Sequence, residues 1–195
     1  MRKLSKKQKG AFVVEFAILS LFLGTLFLFS IDVAIKLSVK GKLDRLSYSI
    51  VSLVKERTQL YGGDFNITQA QADQLLIIAN NSLARTFNEF DEDGNGVEER
   101  FGMVIEELVD SGTGQEYAVF NLGNRIEGTV TGCVLDQTLQ DLEQDDALRL
   151  SVETTWNRTS PMYRVTLCWD TEDLVSTVLD NGFSTVVSSS SVSGR

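Results

Sequence analysis

The side chains in this chain that could do chemistry are mostly carboxylates. Its 195 residues hold 27 acids, 18 bases, two cysteines and no histidine. Without an imidazole there is no Ser-His-Asp or Cys-His nucleophile, and two cysteines alone do not complete a catalytic zinc site. Neighbouring acids occur at Glu98-Glu99, Glu106-Glu107 and Asp145-Asp146. Nothing beside them sets one carboxyl against the other, so they read as solvated faces and not as an acid–base pair. No phosphate-binding loop or nucleophile elbow is present, and the chain is expected not to be an enzyme.

Two constellations have a more definite spacing. Asp91, Asp93 and Asn95, followed by Gly96, match the first, third, fifth and sixth positions of a calcium loop, in which alternate oxygen ligands converge around a glycine bend. The twelfth position, where a bidentate Glu belongs, is Gly102, leaving Glu98 and Glu99 as the nearby carboxylates. An Asp/Gly/Asn turn that needs no metal has the same composition. The possible cofactor is therefore a structural calcium ion or none. The second constellation is Cys133 with Cys168. In an exported domain an even count favours a disulfide, here closing a loop of about 35 residues and worth roughly 3–4 kcal/mol. Two buried thiols are the alternative in the cytosol.

The charge is unevenly spread. Residues 1–10 carry five bases and no acid, leaving 13 bases against 27 acids in the remainder. So acidic a body repels nucleic acid. After the basic stretch, Ala11 to Ile31 is interrupted only by Glu15, Ser20, Gly24, Thr25 and Ser30. As a helix this run is about 31 Å long, the thickness of a bilayer's hydrocarbon core. It exceeds the apolar region of a cleaved signal peptide, and the one small-x-small candidate site, Ser30 to Ala34, contains an acid. A retained membrane anchor is the expectation.

Beyond it, Val39, Leu43, Leu46, Ile50 and Val54 continue at helical spacing, and no proline occurs in 11–60. An amphipathic stalk over 32–60 should therefore follow the membrane helix 11–31. Thr68 to Gln71 reads as a capping box opening a second helix, to about Phe90. Strand-like runs follow at Phe101–Val109, Tyr117–Leu122, Ile126–Leu135, Leu148–Trp156, Tyr163–Trp169 and Phe183–Val187, with both cysteines in strands and Trp156 and Trp169 in the sheet core. Asp136–Asp146 reads as a helical turn or loop. The serine-rich 188–195 reads as a disordered tail. The fold class is α+β, with a small antiparallel sheet forming an ectodomain over 64–187.

Glu15 is the anomaly in the membrane run, since a carboxylate there costs about 2.5–3.5 kcal/mol. It lies five residues after Gly10, at the end of the basic stretch. The sequence KKQKG–AFVVEF resembles the class III signal of type IV pilin-like proteins: a basic leader (1–10) ending in Gly10, a mature chain opening at Ala11, and Glu at the fifth mature position. The pair Glu15-Phe16 is similar to the Flp, or tight adherence (Tad), branch, and the length and cysteines to its TadE/TadF pseudopilins, TadF more than TadE. The resemblance implies cleavage after Gly10 by a prepilin peptidase and pairing of Glu15 with the Ala11 amine of a neighbouring subunit. It also implies partners: a TadE-like pseudopilin, the major Flp pilin, and the inner-membrane Tad platform with its ATPase. The implied role is Flp pilus assembly, and so adherence and biofilm formation. The clustered N-terminal bases favour a cytoplasmic N-terminus and a periplasmic domain. The rival readings are a membrane-anchored extracytoplasmic binding or sensor domain and a type II secretion pseudopilin.

Overall fold

The structure, a computed structural model, describes residues 6–60, 65–87, 100–110, 114–123, 133–144, 152, 159–171 and 185–194. Along the chain come α1 (Lys6–Leu60), α2 (Gln69–Phe87), β1 (Phe101–Asp110), β2 (Gln115–Leu122), α3 (Leu139–Gln144), β3 (Met162–Asp170) and β4 (Thr185–Ser193). They divide into two units: Met1–Ser38 with Glu172–Ser184, and Val39–Thr171 with Thr185–Arg195.

In the first unit, α1 is a helix with apolar residues on every side. The large apolar side chains from Phe12 to Leu37 are all exposed, and this is the one helix among the described residues long and apolar enough to cross a membrane. Its hydroxyls are satisfied within the helix. Ser20 Oγ donates to the Ala17 carbonyl at 2.9 Å, Thr25 Oγ1 to Leu21 at 2.7 Å and Ser30 Oγ to Leu26 at 2.8 Å. Hydrocarbon demands this, because it supplies no partner for a polar group. Asp32 follows the apolar run and is bound to Lys36 one turn on, at 2.8 Å.

In the second unit the sheet order is β2-β1-β3-β4, antiparallel throughout. β1 and β3, the central strands, are buried along nearly their whole length. Such strands need a cover on each face. Phe101, Met103 and Ile105 of β1 and Tyr163, Val165, Leu167 and Trp169 of β3 meet the helices on the first face. There α1 presents Val39, Leu43, Ile50, Val51 and Val54, a stripe at the spacing expected of a one-sided helix, and α2 presents Ala72, Ala79 and Leu83. Phe87 stacks on Trp169 with ring centroids 4.8 Å apart, and Lys42 Nζ lies 4.2 Å above the Phe87 ring. The Gln71 side chain accepts the Thr68 N–H at 3.0 Å, one half of the expected capping box, and opens α2.

Two expectations are corrected. Residues 188–193 are not a disordered tail: β4 runs to Ser193. Its serines look solvent-seeking in sequence, yet Val186 and Val192 enter the core from the same side of the strand as Ser188 and Ser190. The Ser188 hydroxyl donates to Asp44 at 2.6 Å and the Ser190 hydroxyl lies 2.7 Å from that of Ser47 on α1. Tertiary partners supply what the local pattern lacked. Cys133, expected in a strand, lies in irregular chain, as does everything described of 133–138. α2 is helical over the described residues to Phe87, and residues 88–90 of the expected helix lie outside the described residues. Trp156, most of Leu148–Trp156 and residues 126–132 lie outside the described residues.

At the exit of β2, Gly123 has φ +85°, and a Cβ built there would sit 2.5 Å from the Phe101 carbonyl oxygen. Only glycine suits both the left-handed backbone and the close approach. Gly123→Ala should destabilise the sheet unit by about 1–3 kcal/mol, measured as a lower midpoint in denaturant unfolding of the purified chain.

Candidate functional site

The residues singled out from sequence fall into three groups. Gly10 and Ala11 lie within the first turns of α1, and Glu15 and Phe16 follow one turn on, both exposed on the apolar helix. Helix geometry puts positions 11 and 15 on the same face, one turn apart. The calcium-loop residues Asp91, Asp93, Asn95, Glu98 and Glu99 lie outside the described residues, and among those described no cluster of metal ligands occurs.

The third group is realised. Cys133 and Cys168 form a disulfide with a sequence separation of 35. Cys168 projects from β3 on the sheet's second face, opposite Gly102 of β1. The bond pins the irregular segment 133–138, and α3 after it, over that face. Leu135 packs with Val104 and the disulfide, and Leu139 of α3 packs on Leu108 and Met162 with Tyr117 against them.

A buried charge cluster, which the sequence reading assigned to solvent, lies between these apolar patches. Glu106 is fully buried and Glu107 is 2% exposed, correcting the solvated-face expectation for that pair. Strand alternation sends the two carboxylates to opposite faces. Glu106 on β1 is in register with Arg164 on β3, and the Arg164 Nε donates to its Oε2. Tyr117 Oη and the Leu139 N–H each donate to the other carboxylate oxygen at 2.7 Å. Arg164 Nη2 reaches the Gln137 carbonyl at 2.6 Å. The start of α3 is thereby tied to the sheet by charge-assisted bonds, the condition under which a buried ion pair is tolerated. The helix has its own cap, since Asp141 accepts the Thr138 N–H at 2.9 Å and its hydroxyl at 2.6 Å, while Thr138 Oγ1 accepts the Asp141 N–H at 3.1 Å. These bonds to Thr138 hold the Asp141 carboxyl below the usual range.

On the first face Glu107 accepts the Ile67 N–H at 2.8 Å, and Tyr163 Oη donates to the Phe65 carbonyl at 2.9 Å. Both bonds fix the chain entering α2. The sequence did contain a signal for this cluster: one acid pair inside an apolar strand and one arginine inside another. What it lacked was the register that brings Glu106 opposite Arg164. Chemically the arrangement fastens segments together. Each group of the Glu106 cluster is engaged by another segment of the fold, so it offers no free base or nucleophile.

An exposed, membrane-length apolar N-terminal helix that continues as one flank of a small antiparallel sheet defines the class: a membrane-anchored, pilin-like α+β protein. Within that class the chain belongs to the TadF family, whose model, described as "Putative tight adherence pilin protein F", matches residues 3–195. No curated protein and no solved structure matches it.

Two outcomes follow from the cluster. Arg164→Ala leaves the Glu106 charge buried without its counter-ion and should cost about 3–5 kcal/mol of stability, readable from thermal or denaturant unfolding. Burial, with Glu106 as the hydrogen-bond partner, raises the Tyr117 phenol well above its ordinary value. A group whose folded value is raised contributes fully below its unfolded value, about 10, and loses that contribution as pH rises beyond it. Alkaline unfolding should therefore set in above about pH 10, and Tyr117→Phe should flatten the dependence of the unfolding midpoint on pH there.

Proposed function

We propose that this chain is a minor pilin, or pseudopilin, of the Flp/Tad system, a structural subunit and not an enzyme. In this reading the apolar part of α1 anchors it in the bacterial inner membrane, with the basic N-terminus cytoplasmic and the sheet unit periplasmic. A prepilin peptidase cuts after Gly10 and leaves the helix in place. The new amine on Ala11 pairs with Glu15 of a neighbouring subunit. An acid and an amine that satisfy one another in hydrocarbon lower the cost each bears alone, and pairing between chains sets their axial register. The partners are a TadE-like pseudopilin, the major Flp pilin and the Tad platform with its ATPase, and the outcome is tight adherence and biofilm formation.

The observation that carries the reading is the family match over residues 3–195, which takes in both the basic leader motif and the sheet unit. The disulfide supports the periplasmic side, since such bonds persist in oxidising compartments. The test is the intact mass of the membrane-extracted protein, with and without reduction before alkylation. A chain beginning at Ala11, with two thiols alkylated only after reduction, is the expected result. A chain beginning at Met1 overturns the processing and promotes an anchored sensor domain. Glu15→Ala should insert normally yet abolish most piliation seen by microscopy; normal pili would remove the pairing step.

A further inference from the structure

The cover over the sheet's second face stops short of β4. Residues 133–144 lie over Val104 and Leu108 of β1 and Met162 of β3. Val187 and Ser189, which β4 turns to the same face as Cys168 and Thr166, stay exposed. Among the cover, β3 and β4 a pocket of about 480 Å³ remains, within the size range of small-molecule sites. Its described walls all belong to the sheet unit, so the site does not depend on the membrane-anchored reading above.

Part of the wall is aliphatic, from Val134, Leu142 and Val187, with Val134 66% and Val187 41% exposed. The rest brings together an obligate donor, an obligate acceptor and a pair that can be either. The donor is Arg164, 9% exposed. It spends Nε on Glu106 and Nη2 on the Gln137 carbonyl, and its Nη1 makes no hydrogen bond among the described residues. The acceptor is the carboxylate of Asp136, exposed on the cover. The hydroxyls of Thr166 and Ser189 lie 2.7 Å apart. Their mutual bond uses one of two protons, so the pair can still both donate and accept.

The charges narrow the ligand. Arg164 is matched by the buried Glu106, so Asp136 leaves the described lining net negative. An anion is repelled there, and a zwitterion brings its carboxylate into the same field. An ammonium drawn to Asp136 has nothing to accept the Arg164 N–H. A wholly apolar ligand strands both charged groups. What fits is a neutral ligand with a bare acceptor, several hydroxyls and an apolar side. The carbonyl and methyl of an acetamido group, set on a ring of hydroxyls, combine all three. A lone peptide amide meets Arg164 and Asp136 but leaves the hydroxyl pair unanswered.

We propose that this pocket binds an N-acetylated hexose. The acetamido oxygen accepts from Arg164 Nη1, the methyl lies against the aliphatic wall, and ring hydroxyls donate to Asp136 and exchange hydrogen bonds with Thr166 and Ser189.

The test is amide NMR of the isotope-labelled full chain in detergent, titrated with N-acetylglucosamine. Shifts should appear at Val134, Asp136, Val187 and Ser189 and saturate with a Kd of about 1 mM. Ala79 and Leu83 on the first face should not move. Substituting Arg164 would confound binding with folding, so the variants use exposed positions. Asp136→Leu should weaken binding about tenfold with an unchanged thermal midpoint. Should that variant not fold, Val134→Trp, which narrows the pocket mouth, should give the same loss. Glucose, which lacks the acetamido group, should also bind about tenfold more weakly. Tighter binding of the β-linked dimer supports the site and points to a glycan chain, and equal binding supports it with a single sugar as ligand. Absence of shifts at about 10 mM sugar, or equal shifts with glucose, overturns the proposal. So do equal shifts with N-acetylalaninamide, which would make the pocket a peptide site. The readout is sugar binding, so it succeeds or fails separately from the intact-mass test.

Discussion

The sheet unit depends on a single constraint: its two central strands are buried on both faces and must be covered twice. On the first face the cover is helical, with α1 and α2 laying their apolar stripes on Phe101, Met103, Ile105, Tyr163 and Leu167. On the second face no long helix is available among the described residues. The cover is the short 133–144 segment, too small to hold itself down by apolar area alone. The disulfide at one end and the Glu106–Arg164 cluster at the other supply the missing attachment. Small domains commonly use covalent staples where the core is thin.

α1 meets two solvents, and its residues change character accordingly. From Phe12 to Leu37 its apolar side chains cover the whole circumference, and its hydroxyls bond back to the preceding turn. From Val39 onward the buried apolar residues form one stripe, and the remaining surface carries Lys40, Asp44 and Arg45 beside the exposed Tyr48 and Leu53. A TadF-family chain can thus use one uninterrupted helix both as a bilayer-compatible rod and as a wall of the sheet's core. Small polar residues make the second role possible. Ser47 of α1 meets Ser188 and Ser190 of β4 through their hydroxyls, so helix and strand approach without leaving a polar group stranded.

The acidic character of the chain is handled by position. The two buried acids of β1 are split by the strand's alternation. One is neutralised by Arg164, and the other is spent on the Ile67 N–H where the chain enters α2. Both fasten the covers in place, so the burial that makes them costly also makes them specific.

Much of this protein was legible before any fold was known. The membrane-length run, the Gly10–Glu15 spacing, the one-sided stripe from Val39 to Val54 and the strand-like runs at 101–109 and 163–169 are local patterns, set by the helical period of 3.6, by strand propensity and by the thickness of a bilayer. The disulfide was legible as an expectation because only two cysteines exist. What only the tertiary structure decided was register and partnership. Nothing local places Glu106 opposite Arg164, brings the Asp44 carboxylate to Ser188, or makes a strand of a serine run. Those outcomes come from residues 58 and 144 positions apart meeting. A polar side chain is buried or solvated according to who stands opposite, and that neighbour is chosen by the whole sheet, not by the residues beside it in sequence.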